Sequence, residues 1–422
     1  VASPKAFPSK ATHQQTRAYN AALVLRALYE HSPISRAEVA RMSGLTRTTV
    51  GEVIGELIAE GMAREVGRGP STGGKAPILL ELVDDARHIV GLDLGEFVFR
   101  GALVDLRGEI VATVEREVGR LDGDQALAVV HELVDALVRD RGGTLLGIGV
   151  GTPGIVDAAT GTIRWVANLH WQDLPLGDLL RARYGVPVEV ANDSRAAALA
   201  ILHFGERNER GARGDRVTAA DGRSTSRPNL VAIKVGRGVG AGVVLNGELF
   251  HGDGFGAGEI GHTTADVDGA ECDCGRFGCL ETIASSRAIL RAATRLASDQ
   301  PGSFLGARLA GAGELQLDDV EAAIEAGDED ARRIVVAAGR SLGQSIACVI
   351  GVLDVERIVL HGSATRLGEP WLDAVRDEAD RRSLGLLSRD VRIEVEPNPD
   401  DLVMKGASAL LLTAELGLAV AR

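Results

Sequence analysis

The chain has 422 residues, 45% of them apolar, with four cysteines and a net charge of −13. That length supports two or three domains, each with its own core, and excludes a small disulfide-stapled scaffold. The charge is uneven, because residues 1–80 carry ten Lys and Arg against six Asp and Glu, a balance of +4 that leaves −17 for the rest; uniform acidity would exclude nucleic acid, but a basic head on an acidic body does not.

The first twenty residues, VASPKAFPSKATHQQTRAYN, contain no apolar signal core or small-residue cleavage site, and no later run of 18 or more apolar residues follows. This pattern points to the cytoplasm, away from secretion and membranes, where cysteines stay reduced. From Ala18, AYNAALVLRALYEHS places Ala22, Leu25, Leu28 and Tyr29 at helical spacing, ending before Ser32-Pro33. Ser35 suits the N-cap of RAEVARMS, Gly44 its stop, and Thr46 the cap of RTTVGEVIGELIAEG.

Two helices around a short turn make a helix-turn-helix. Its second helix presents Arg47, Thr48 and Thr49 at the N-terminal turn, side chains that reach phosphates and base edges. Arg36, at the start of the first helix of the pair, and Thr46, which also reads as a cap, are further candidate DNA contacts. MAREVGR and APILLEL then read as strands flanking GPSTGG, a wing carrying Arg64, Arg68 and Lys75. Residues 1–83 are accordingly a winged helix-turn-helix DNA-binding domain.

From Arg87 the texture becomes α/β. HIVGLDLGEFVFRGALVDLRGEIVATVEREV supplies three strands, GDQALAVVHELVDALVRD a helix, and LLGIGVGTPGIVD a buried strand. A helix near Leu176–Tyr184, the strand VPVEVAND and the helix SRAAALAILHFGE complete a lobe over 84–200. Residues 201–229 read as a polar loop or hinge insert. A second lobe, 230–422, repeats the strand meander in NLVAIKVGRGVGAGVVLNGELFHG. It continues with helices through Ala284–Leu296 and Asp319–Val352, the strand VERIVLHGS, a helix at Trp371–Ser383, the strand DVRIEVEP and a last helix that returns to the first lobe. The pattern implies an internal duplication with a cleft between the lobes.

Glycine turns at Asp93-Leu94-Gly95, Gly236–Gly240 and Leu360–Ser363 let backbone N–H groups approach phosphate. Glu96 and the bulky Arg237 argue against a tightly held triphosphate. Asn192, Asp193, Glu259, His262 and Glu281 suit the hydroxyls of a sugar; a helix cap for Asp193, and surface or ion-paired roles for the glutamates, are the alternatives. His262, Cys272, Cys274 and Cys279 make four N/S donors, the closed tetrahedral count of a structural zinc site, with Gly269, Gly275 and Gly278 allowing the tight wrap. Cys348, inside an apolar helix, reads as core. His361, Trp165 and Trp171 fit packing as well as a cleft.

The segments GVGTPGIVD, AND with SRAAAL, GEIGH, and CDCGRFGCLE resemble the ROK family of bacterial sugar kinases and repressors over almost the whole chain. The resemblance implies an actin-like ATPase fold of two RNase-H-like lobes behind the winged helix. It also implies that Asn192, Asp193, Glu259, His262 and Glu281 contact sugar hydroxyls, with His262 doubling as a zinc ligand and zinc bracing the pocket wall. Kinase members carry Gly-Thr where Glu96 and Phe97 stand, and Thr where Arg237 stands; Asp193, the kinase base, is retained. The expectation is a non-enzymatic, sugar-responsive repressor of carbohydrate-utilisation genes, a homodimer or homotetramer on a pseudo-palindromic operator. An active or vestigial sugar kinase is the alternative, and a phosphotransferase-type protein is a further candidate partner.

Overall fold

The computed structural model describes residues 13–70, 76–95, 97–119, 121–139, 144–166, 169–205 and 229–417. Lys75, Glu96 and nearly all of the expected insert lie outside them. The head contains α1 (His13–His31), β1 (Ile34–Ser35), α2 (Arg36–Ser43), α3 (Arg47–Ala59), β2 (Ala63–Arg68) and β3 (Ile78–Leu82), its sheet ordered β1-β3-β2. Ser35 and Glu38 form a reciprocal capping box on α2. Gly44, at φ +70°, supplies the left-handed residue between the two helices. Leu28, Val39, Val50, Ile54 and Leu80 form the buried centre.

The head is docked on the body. Its core continues into Ile89, Leu106, Leu411 and Leu412. Arg107 lies 4.5 Å over the Tyr29 ring and bonds Asp84 at 2.8 Å, so a turn of the body grips the end of α1.

The first lobe comprises β4 (Arg87–Leu94), β5 (Val98–Val104), β6 (Ile110–Glu117), α4 (Gly123–Val138), β7 (Thr144–Thr152), α5 (Leu176–Tyr184), β11 (Val188–Asn192) and α6 (Asp193–Phe204). A small antiparallel sheet of β8 (Ile155–Asp157), β9 (Thr162–Val166) and β10 (Trp171–Leu174) occupies what the sequence reads as the tail of one strand and a loop. The second lobe holds β12 (Leu230–Val235), β13 (Val239–Leu245), β14 (Glu248–Leu249), β15 (Arg357–His361) and β16 (Arg392–Val395).

The main sheets run β11-β7-β4-β5-β6 and β14-β13-β12-β15-β16. In each, the first strand pairs antiparallel with the second and parallel with the fourth, and the fifth adds in parallel. The two lobes thus share one topology, as a duplication requires.

Between the sheets run two helices, α6 and Leu402–Leu416. A Cβ on Gly406 would stand 1.7 Å from the Ala196 carbonyl oxygen, and one on Gly149 1.9 Å from that of Ala407. Glycine at these positions is what lets backbone meet backbone. The other face of the second sheet carries the helices Ser286–Asp299, Phe304–Ala312, Leu317–Glu325, Glu329–Leu353 and Glu369–Arg382 around one large core. Glu329–Leu353 is long and apolar enough to cross a membrane. Its apolar face is instead packed inside the lobe, where Gly339 and Gly343 admit the carbonyls of Trp371 and Val375.

Several expectations need correction. Cys348 is exposed, not core. It shares the outer side of its helix with Val352, which is 81% exposed, whereas Val335, Leu342, Ile346 and Ile350 take the inner face. The stretch expected as helix through Asp319–Val352 is interrupted at Gly327, φ +86°, after which Asp328 caps the long helix. Helix Phe304–Ala312 was not expected, and α1 starts five residues before Ala18.

Candidate ligand cleft, metal centre and DNA-reading face

β11 ends and α6 begins where the lobes meet. Asn192 is the N-cap of α6: its Oδ1 accepts from the N–H groups of Ser194 (3.0 Å) and Arg195 (3.4 Å), and its Nδ2 donates to the Gly154 carbonyl at 3.0 Å. Asp193 is therefore not the cap; it sits in the first turn, where a carboxylate is favoured by the helix dipole. Its Oδ1 accepts from Ser194 N and Oγ, and its Oδ2 from Lys234 Nζ at 2.6 Å. Lys234, on central strand β12, was not singled out in the sequence, although a lone charge within the apolar run NLVAIKVG was its visible signal.

Asp93, at the end of β4, acts on the same ammonium. Burial lifts its carboxyl to about 6, Lys234 opposes the rise, and Asp193 adds to it. Burial works to lower the Lys234 ammonium, but the two carboxylates prevail and raise it. His361, opposite Lys234 on β15, is pushed down to about 3 by burial first and then by Lys234, so it is neutral.

Glu281 and Glu259 come from the second lobe. Glu281 Oε2 accepts from Val239 N–H at 2.9 Å, beneath the glycine turn that starts β13. A Cβ on Gly238 would stand 2.7 Å from that oxygen, so the turn sits directly on the carboxylate. Glu259 precedes the short turn Ile260–His262, and burial raises its carboxyl. Arg195, buried on α6, donates to the carbonyls of Phe255 and Ala257, the latter at 3.1 Å, and so holds the loop that carries Glu259.

Asp93 Oδ1, Arg195 Nε, His251 Nδ1 and His361 Nε2 are sealed polar atoms without a protein partner. At the mouth, the Arg237 guanidinium lies 4.7 Å over the Phe97 ring and spans the lobes. Trp165 is 47% exposed, while Trp171 is core, packed on Phe99 and donating Nε1 to the Gly123 carbonyl.

One wall of the cleft grows out of a cluster of His262, Cys272, Cys274 and Cys279, whose ligand atoms all lie within 4.8 Å of one another. Cys272 Sγ is 3.7 Å from His262 Nδ1, and Cys274 Sγ is 3.7 Å from Cys279 Sγ. The sulfur–sulfur spacing is far too long for a disulfide. Both spacings match the edges, about 3.6–3.8 Å, of a tetrahedron with metal–sulfur bonds of about 2.3 Å. The residues therefore fit a closed four-coordinate ion. Gly278, at φ +67°, lets the loop fold back, since a Cβ there would strike the Asp266 carbonyl at 1.6 Å.

On the head, Thr46 caps α3 through Thr49 N–H at 3.2 Å, and the two hydroxyls lie 2.9 Å apart. Arg47, Thr48 and Arg68 are exposed. Arg36 pairs with Glu65 at 3.0 Å and Arg64 with Glu81 across the wing hairpin, so two expected DNA contacts are engaged within the head.

Known proteins bear on this arrangement. The model of the ROK family matches residues 89–213 and 215–414, and a winged helix-turn-helix DNA-binding model matches 23–64. The chain is 29% identical over 406 residues to a xylose repressor of Caldicellulosiruptor bescii, covering 95% of this chain and 97% of that protein. It is 32% identical over 336 residues to a glucokinase of Halalkalibacterium halodurans, covering 78% and 96%. A crystal structure of a ROK family transcriptional regulator, described as a homologue of an Escherichia coli MLC protein, superposes with TM-score 0.80 at 26% identity over 96% of this chain and 98% of the other.

Proposed function

The chain belongs to the ROK family, and on that premise we propose that it is a sugar-responsive transcriptional repressor of carbohydrate-utilisation genes. The observation that carries this reading is the joining of a winged helix-turn-helix head to a two-lobed cleft through one continuous core. Asn192, Asp193, Glu259, His262 and Glu281 gather the sugar, with carboxylates accepting from hydroxyls. Asn192 acts chiefly by capping the helix that presents Asp193.

Zinc is the ion that suits His262, Cys272, Cys274 and Cys279. When bound it supplies a closed structural cross-link with no position for reactive water. Its ligands lie within three residues of Glu259 and Glu281, so the ion fixes the wall that carries both.

Arg47, Thr48 and Arg68 lead the contacts with operator DNA, and Thr46 and Thr49 shape the helix start. Lys75 joins them on the sequence reading alone. A homodimer or homotetramer in the cytoplasm would place two heads on a pseudo-palindromic site. Sugar bound between the lobes changes their angle and, through α6, Leu402–Leu416 and α1, the presentation of the heads. A phosphotransferase-type protein is a second kind of effector for the same switch.

The kinase reading is supported by Asp193, the residue that would accept the proton of a sugar hydroxyl. Against it stand Lys234, bonded to that carboxylate, and Arg237, stacked where a phosphate turn would need to open. Fluorescence anisotropy on DNA from upstream of its own gene, repeated across a panel of mono- and disaccharides at fixed salt, tests the repressor reading. One sugar shifting affinity by about tenfold, about 1.4 kcal/mol of coupling, is expected; DNA binding insensitive to every sugar, with ATP-dependent sugar phosphorylation lost in Asp193→Asn, would favour the kinase.

A further inference from the structure

Lys234 stands inside a central strand, with Gly240 of β13 opposite it on one side and His361 of β15 on the other. An ammonium drawn into such a place is costly unless anions meet it. Two do, from different elements. Asp193, at the head of α6, has Oδ1 committed to Ser194 and offers Oδ2, which the ammonium takes at 2.6 Å. Asp93, at the end of β4 in the first lobe, is near enough for its charge to act on the ammonium, and its Oδ1 is sealed without a protein partner. His361 is neutral beside it and adds no second cation. Arg100, the other cation near Asp93, is drawn outward to Glu115 at 3.1 Å and Asp400 at 3.7 Å.

Two carboxylates on facing elements of a cleft are the hard oxygen donors that a divalent cation such as Mg2+ or Mn2+ seeks. Here the positive charge comes from the chain. We propose that the Lys234 ammonium is the resident cation of the cleft: it fills, on a covalent tether, the place between Asp93 and Asp193 that would otherwise draw a divalent ion, and makes the cleft specific for an uncharged polyhydroxy ligand taken without metal. Lys234 is thus a positioning residue. It fixes Asp193 Oδ2 and holds one lobe to the other by charge. The inference deepens the ligand reading given above, but its test needs neither sugar nor DNA, so either can fail alone.

The full chain is titrated with Mn2+ and free ion is read by electron paramagnetic resonance; Mn2+ prefers oxygen donors and leaves the thiol cluster alone. Wild type and Lys234→Arg are expected to bind it only weakly at the cleft. Lys234→Ala and the near-isosteric Lys234→Met, each checked for folding by circular dichroism, are expected to bind one equivalent at least about tenfold more tightly than wild type. Adding Asp93→Asn should remove that site. A second measurement uses the unmodified chain, whose Tm is expected not to move with millimolar Mn2+. Folded neutral variants that gain no site, or a wild type that binds Mn2+ as tightly as they do or is stabilised by it, would overturn the proposal.

Discussion

Gly51 and Gly55 stand one turn apart on the outer face of α3, and a Cβ on either would meet no atom within 4 Å. Glycine inside a helix costs about 0.8–1 kcal/mol relative to alanine, and nothing within the head requires it. On the DNA-reading role proposed for α3, the benefit is a helix backbone that can enter a groove closely. Gly51→Ala and Gly55→Ala should each raise the stability of the head by about 1 kcal/mol while weakening operator binding about tenfold or more. Thermal melts and anisotropy on the same samples check both halves; alanine variants that bind DNA at full strength would leave the glycines unexplained.

Thr46 and Arg47 are neighbours with separable roles. Thr46→Ala removes the cap of α3 and should cost about 1 kcal/mol of stability. Arg47→Ala should leave the melt unchanged, weaken DNA binding across sequences, and lower the salt slope by about one. Unchanged affinity for Arg47→Ala refutes its role at the phosphates.

Metal content should track sugar affinity. The protein is expected to carry one zinc per chain by elemental analysis, and Cys272→Ser or Cys274→Ser should lose it. Because Glu259 and Glu281 flank the ligands, those variants should also bind sugar at least about tenfold less tightly by calorimetry. A metal-free chain with full sugar affinity would show that the wall stands without the ion.

Stability should fall in mild acid. His203 and His361 are pushed down by burial to about 4 and about 3, so each is neutral when folded and takes a proton more readily when unfolded. Between the ordinary histidine value near 6.5 and those folded values, the unfolded chain binds more protons, and stability rises with pH by up to about 1.4 kcal/mol per unit for each. Asp93 runs the other way: raised to about 6, it binds a proton more readily in the folded state, so its contribution falls as pH rises from about 3.8 to 6. Melts from pH 4 to 7 should therefore slope upward, less steeply in His203→Gln and more steeply in Asp93→Asn. A His203→Gln curve with the same slope as wild type would rule out a neutral buried His203.

Much of the head was legible because its signals are local. Ser35, Gly44 and Thr46 act within four residues of themselves, and the chain places them where capping chemistry requires. The four metal-type donors were legible because thiols and imidazole so closely spaced have few other uses. Lys234 was missed because its meaning depends on Asp93 and Asp193, which only tertiary structure brings to it. Cys348 was misjudged because an apolar helix has two faces, and composition does not say which one points inward. The pairings Arg36–Glu65 and Arg64–Glu81 were invisible for a similar reason: the wing hairpin decides which carboxylate a basic side chain meets.

The helix Leu402–Leu416 has a bearing on how the protein is made. It lies on β4 and β7 of the first lobe and extends to the core shared with α1, yet it follows every other described helix and strand. A chain leaving the ribosome has its DNA-reading head and its first sheet long before it has the element that joins them. Until that helix arrives, the glycine-floored surface of the first sheet lies open and the head is held by fewer neighbours. A nascent or prematurely truncated chain would therefore carry a head able to meet DNA without the linkage that lets a ligand control it.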